Sequence, residues 1–175
     1  ESFKWGSNPK YVDYGIMYES RYALLRKVYA RFTKKEPQDF EKFCENEKQW
    51  LDDYALFMAL KDANGGQAWS NWDKSLRLRE KKAMEEATEK YSEEIRFYKM
   101  LQYLFYQQWN ALKTYANEAG IEIIGDVPIY VAGDSADVWA NPDQFYLDEN
   151  LEPIEVAGCP PDAFSDDGQL WGNPL

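Results

Sequence analysis

The sequence predicts an α/β protein, mainly α by content, that holds only part of a larger (β/α)8 barrel. Three observations carry that prediction. Helical spacing of apolar residues runs from Ile95 to Ala116 and stops at Gly120, and the run that follows, with Ile121, Ile123, Ile124, Val127, Ile129 and Val131, reads as a strand buried on both faces. A long helix, a glycine and a strand make half of a βαβ unit, yet no earlier run resembles a second buried strand, and one parallel strand cannot satisfy both of its edges. Finally, 175 residues are short of the roughly 250 that a full barrel needs. The chain is therefore expected to be a piece of a longer domain.

Taken in order, the Gly-, Asn-, Pro- and Ser-rich residues 1–15 predict an irregular lead-in. Tyr18, Tyr22, Leu25, Val28, Tyr29 and Phe32 recur at helical spacing and predict a first helix. Glu36-Pro37-Gln38-Asp39 interrupts it, and Asp39 is placed to cap a short helix that begins at Phe40. Trp50, Leu51, Tyr54, Phe57, Met58 and Leu60 form a stronger amphipathic stripe that Asn64-Gly65-Gly66 ends. Residues 68–77 lack a clean period and predict loop or single turns. Glu and Lys at three- and four-residue spacing across residues 80–94 predict a solvated helix surface. In AGDSADVW, Asp134 and Asp137 read as caps of a short helix or turn, and Trp139 as packing.

Composition narrows the function. Lys plus Arg number 20 against 31 Asp plus Glu, a formal charge of −11, so phosphate repulsion disfavours nucleic acid as a partner. No apolar run approaches the roughly 20 residues that span a bilayer, and residues 1–10 show no signal-peptide pattern, so a soluble cytoplasmic setting is expected. Cys44 and Cys159 have no paired spacing, which indicates neither a disulfide framework nor a zinc site, and no metal or other cofactor is expected. The absence of histidine excludes Ser-His-Asp and Cys-His catalysis within these residues. Aromatic residues make up 17%, with 7 Trp and 13 Tyr, which suits either stacking on sugars or protein, or packing against further chain.

Pro128 lacks a ladder donor, so regular pairing is expected to end near it. That puts Asp126 at the carboxyl end of the strand, the active face of barrel and open α/β enzymes. The other reading of Asp126 is a loop-anchoring group bonded to nearby backbone, and position alone leaves both open.

The wording GDVPIYVAGDSADVWANP followed by AGCPPDAFSDDGQLWGNPL closely resembles the 4-α-glucanotransferases, the amylomaltase and disproportionating-enzyme family (glycoside hydrolase family 77). The resemblance continues upstream through VDYGIMYESRYALLRKVY, WLDDYALFMALKDANGGQAWSNWDKSLRLR and EIRFYKMLQYLFYQQWNALKTYANEAGIEIIGDVP, and so covers nearly the whole chain. It implies a barrel with a mostly helical inserted subdomain, here residues 1–94. Residues 95–175 would supply a barrel helix, a barrel strand and a substrate-groove loop.

The activity implied is transfer of α-1,4-glucan segments between maltooligosaccharides or starch-derived glucans with retained configuration, which needs a nucleophilic carboxylate and a carboxylic acid about 5–5.5 Å apart. The family's catalytic acids belong to motifs that these residues do not contain, so no nucleophile or acid is assigned here. Asp126 would instead support the active site. The loop from Pro160 to Trp171 matches the family's flexible lid over the glucan groove. Phe164 would touch the sugar chain, Gln169 would bond hydroxyls and Trp171 would offer a flat face to a glucose ring, with Asp162, Ser165 and Asn173 shaping the same substrate-binding loop. Ala163 stands where some members carry tyrosine, which removes one aromatic contact. By residue type alone Trp171 reads as a packing anchor; the resemblance favours binding.

Two other readings are open. One is a free-standing carbohydrate-binding or interaction module; the other is a hydrolase of the α-amylase clan, whose usual first-region pattern ends in an Asn-His pair that this histidine-free chain lacks. If the chain is a piece, apolar surface should be exposed around residues 121–131 and along the helix from Tyr98 to Trp109, and self-association is expected.

Overall fold

The computed structural model describes residues 3–175, and Glu1 and Ser2, the start of the expected lead-in, lie outside the described residues. Helix α1 (Tyr14–Phe32) begins four residues before the expected Tyr18, because the Asp13 carboxylate accepts the Ile16 N–H at 3.0 Å and caps it. Helix α2 (Phe40–Asn46) starts where expected, but Asp39 makes no side-chain cap; its carboxylate accepts the Tyr103 hydroxyl at 2.7 Å. Helix α3 (Lys48–Ala63) buries Leu51, Ala55, Leu56, Phe57, Ala59 and Leu60, and Gly65 and Gly66 end it in left-handed conformations that favour glycine. A single turn at Trp69–Asn71 and the four-residue α4 (Lys74–Arg77) occupy the aperiodic stretch, with Trp69 and Trp72 both buried. Helix α5 (Lys81–Lys90) buries only Ala87 and exposes the ion pairs Lys81–Glu85 and Lys82–Glu86. Helix α6 (Ser92–Glu118) runs 27 residues, about 40 Å at 1.5 Å per residue.

The core lies between α3, the first half of α6, α1 and α2. Phe32, Phe40 and Phe43 pack edge to face around the Tyr103 ring at centroid distances of 5.3–6.1 Å. Arg96 bridges Glu36 and Glu41 above the Phe40 ring. The sequence expected apolar exposure along α6 from Tyr98 to Trp109. Tyr98 and Tyr103 are buried instead, whereas Phe105 and Trp109 are exposed, as are Leu112 and Tyr115 beyond them.

Residues 121–131 overturn the expected strand. They form no regular pairing and face solvent: Ile124 is 94% exposed, Val127 85% and Ile129 86%. Strand preference in β-branched residues is expressed through packing and ladder partners, and no described strand lies alongside to supply either. A βαβ half-unit is therefore not formed among the described residues. The one sheet among the described residues is a hairpin that sequence reading treated as loop, β1 (Val156–Cys159) antiparallel to β2 (Gln169–Pro174). Between the irregular segment and the hairpin lies the short helix α7 (Ala136–Ala140).

Buried tyrosines give the helical body an alkaline limit. Burial, and then the Asp39 carboxylate that accepts its hydroxyl, pushes Tyr103 up to about 12; burial and then Glu93 push Tyr29 up to about 12. Burial and Asp62, which accepts the Tyr98 hydroxyl at 2.6 Å, raise Tyr98 as well. A tyrosine whose folded pKa exceeds its unfolded value near 10 contributes stability that is complete below 10 and is lost as pH rises through the folded value. The contribution of these tyrosines to stability is expected to be complete up to about pH 10 and to fall as pH rises from about 10 towards 12. Helical ellipticity and tyrosinate absorbance recorded together should change in one step; full tyrosine titration with the helices intact would contradict this.

Candidate functional site

Two structures meet at the residues singled out by sequence: the helical body and the hairpin. The connection between them is residues 131–140. Ser135, not Asp134 or Asp137, caps α7, its hydroxyl oxygen accepting the Val138 N–H at 3.3 Å. Asp137 lies in the first turn, where a negative charge suits the helix dipole. Asp134 turns back to the body, accepting the Trp69 backbone N–H at 3.2 Å and pairing with Lys61. The Trp69 indole donates to the Gly133 carbonyl at 2.8 Å. Trp139, expected as packing, is 1% exposed between Phe57 and Trp72, donates to the Leu76 carbonyl at 3.0 Å and lies under the Arg79 guanidinium.

After α7 the chain turns at Asp148. Its carboxylate accepts the Glu152 and Asn150 backbone N–H groups, which hold the carboxyl below the usual carboxylate range. The hairpin follows, with Gly158 opposite Leu170 and Cys159 opposite Gln169. Glycine is required twice here. A Cβ on Gly158 would lie 2.5 Å from the Gln169 carbonyl oxygen; one on Gly168, whose φ is +73°, would lie 2.5 Å from that of Cys159.

The hairpin tip, residues 160–168, is held by its own polar groups. The Asp162 carboxylate accepts the Phe164 and Ser165 N–H groups at 2.8 and 2.9 Å, and the Ser165 hydroxyl donates to the Gly168 carbonyl at 2.7 Å. This turn points Phe164 outward, 94% exposed. Trp171 is 49% exposed, its indole N–H donating to the Gln169 side-chain oxygen at 3.0 Å, with the Tyr130 ring centroid 6.0 Å away. The Asn173 amide donates to the Val131 carbonyl at 2.8 Å. Asp126 is exposed on the irregular segment.

The structure thus brings together Gln169, Trp171 and Asn173 on β2, with Phe164, Asp162 and Ser165 at the tip, and leaves Asp126 apart from them. Chemically this surface offers two free aromatic faces beside a side-chain amide. Flat apolar rings and amide donors suit stacking and hydrogen bonding to a polyhydroxylated ligand. Sequence reading missed Tyr130 as the ring beside Trp171, and missed Lys61 and Trp69 as anchors. Lys61 and Asp134 lie 73 positions apart, so spacing carried no signal for their contact.

The chain belongs to the 4-alpha-glucanotransferase family, whose model matches residues 2–175. It is 49% identical over its whole length to the 4-alpha-glucanotransferase of Clostridium butyricum, of which it covers 36%, and 51% identical over 94% of its length to that of Thermus thermophilus, of which it covers 34%. Among solved structures it is similar to amylomaltase from Streptococcus agalactiae in complex with acarbose, with a TM-score of 0.92, 45% identity, and coverage of 98% of this chain and 35% of that one. The chain spans about a third of the length of the curated relatives it matches.

Proposed function

We propose that this chain is the helical and groove-lining segment of a 4-α-glucanotransferase, an enzyme that moves α-1,4-glucan segments between maltooligosaccharides with retention of configuration. The observation that carries the reading is the hairpin: in a chain whose fold matches an amylomaltase bound to acarbose, Phe164 and Trp171 stand open to solvent on a turn that Asp162 and Ser165 hold in shape. Phe164 and Trp171 contact the glucan, Gln169 bonds its hydroxyls, and Asp162, Ser165 and Asn173 keep the contact surface in place. Residues 1–94 form the inserted helical part, and residues 95–175 contribute a helix, a strand and the groove loop of the (β/α)8 barrel. Residues 121–131, irregular and unpaired in this chain, are the segment that pairs as a strand only within the whole barrel, and Asp126 on it supports the active site. In the isolated chain the same surface promotes self-association. The parent protein works in the cytoplasm, a setting that suits the free thiols of Cys44 and Cys159.

The test is titration of the chain with maltoheptaose followed by NMR. The chain is expected to bind weakly, in the millimolar range or about 4 kcal/mol, because the loop must be ordered without the rest of the groove. Trp171→Ala is expected to weaken binding about tenfold with helical content unchanged, since stacking on one ring is worth about 1 kcal/mol beyond its buried area. Equal binding by the folded variant would remove Trp171 from the site.

A further inference from the structure

We propose that Lys61 and Asp134 are a positioning pair for the hairpin, acting from the end of α3 through the connection at residues 131–134; this rests on the reading of the hairpin as the glucan-facing surface. The connection is gripped from two sides. On the helical side, one Asp134 oxygen pairs with the Lys61 ammonium, the other accepts the Trp69 N–H, and the Trp69 indole holds the Gly133 carbonyl. On the hairpin side, Asn173 holds the Val131 carbonyl, and Pro174, fully buried, packs close to Gly133. Only the peptide units of residues 131–134 separate the two grips.

Backbone carbonyls in so short a stretch are oriented together, so a shift at Asp134 moves the acceptor that Asn173 uses. Asn173 is two residues from Trp171 on β2, and Trp171 in turn faces Tyr130, the residue before Val131. The pair is suited to this work by its setting. The Lys61 side chain is 23% exposed and also reaches the Gln67 carbonyl, so it is partly shielded from solvent and held in direction. An apolar contact would keep the elements together but would not fix the rotation of the Asp134 peptide, because packing alone is non-directional.

The experiment uses the ¹⁵N-labelled chain and three variants. Lys61→Met removes the charge and keeps most of the stem, Asp134→Asn keeps the acceptor for Trp69, and Lys61→Arg retains the pair. The Trp171 indole N–H and the Asn173 side-chain amide are read by NMR, with maltoheptaose affinity in parallel. In Lys61→Met and Asp134→Asn both hairpin signals are expected to shift and exchange faster, with affinity down about threefold, the scale of one partly shielded ion pair. Lys61→Arg is expected to leave signals and affinity near those of the parent chain. Shifts confined to the Trp69 indole, in either folded variant, would make the pair a local brace and overturn the proposal. If instead the hairpin signals move but Trp171→Ala leaves maltoheptaose binding unchanged, the coupling stands and the glucan-facing reading fails. Should Lys61→Met not fold, Asp134→Asn decides alone.

Discussion

Trp139→Ala is expected to destabilise the chain by about 3–5 kcal/mol, a large part of the roughly 5–15 kcal/mol that holds a domain of ordinary stability. The indole is 1% exposed and packs on Phe57 of α3 and on Trp72. Its removal leaves a cavity that the rigid α3 cannot fill, frees the Leu76 carbonyl and takes away the surface under the Arg79 guanidinium. Urea unfolding followed by far-ultraviolet circular dichroism measures the loss. Trp139→Phe, which keeps an aromatic ring but not the donor, should fall between the two. A loss below about 1 kcal/mol for the alanine variant would show that α7 does not hold the connection to the helical body, and the anchoring described above would lose its base.

The second large effect is catalytic. On the proposed function the purified chain is expected to release no glucose from maltotriose at any pH, while a protein of the relatives' full length carrying this segment turns it over. Retaining transfer needs two carboxyl groups about 5–5.5 Å apart across the scissile bond, and the intermediate must be kept from water until an acceptor sugar arrives. The hairpin offers exposed rings and amides for binding, in an open setting where water has free access to the sugar. Glucose release is followed with contaminating amylase excluded. Turnover that persisted would place the catalytic acids among the carboxylates of this chain, and the supporting role given to Asp126 would have to be reassigned.

By itself the sequence determined the helices and the family. Helices are legible because their evidence is local. Leu51, Ala55 and Ala59 stand one turn apart, and Asn64-Gly65-Gly66 supplies the stop next to them, so a short window holds both the pattern and its boundary. The family was legible because long stretches such as GDVPIYVAGDSADVW match as wording, whatever conformation they adopt. Tertiary structure decided what local windows cannot hold. A β-branched run states a preference for burial and pairing, but residues 121–131 find no partner strand and stay open. The hairpin went unread because its signal is the closeness of Gly158 and Gly168 to carbonyls on the opposite strand, not a period of apolar residues. Asp134 looked like a helix cap from its neighbours, and Ser135 took that role once Lys61 and Trp69, distant in sequence, arrived to bind the carboxylate. A carboxylate is drawn to the strongest donors within reach, and which donors are within reach is set by how the chain folds back on itself.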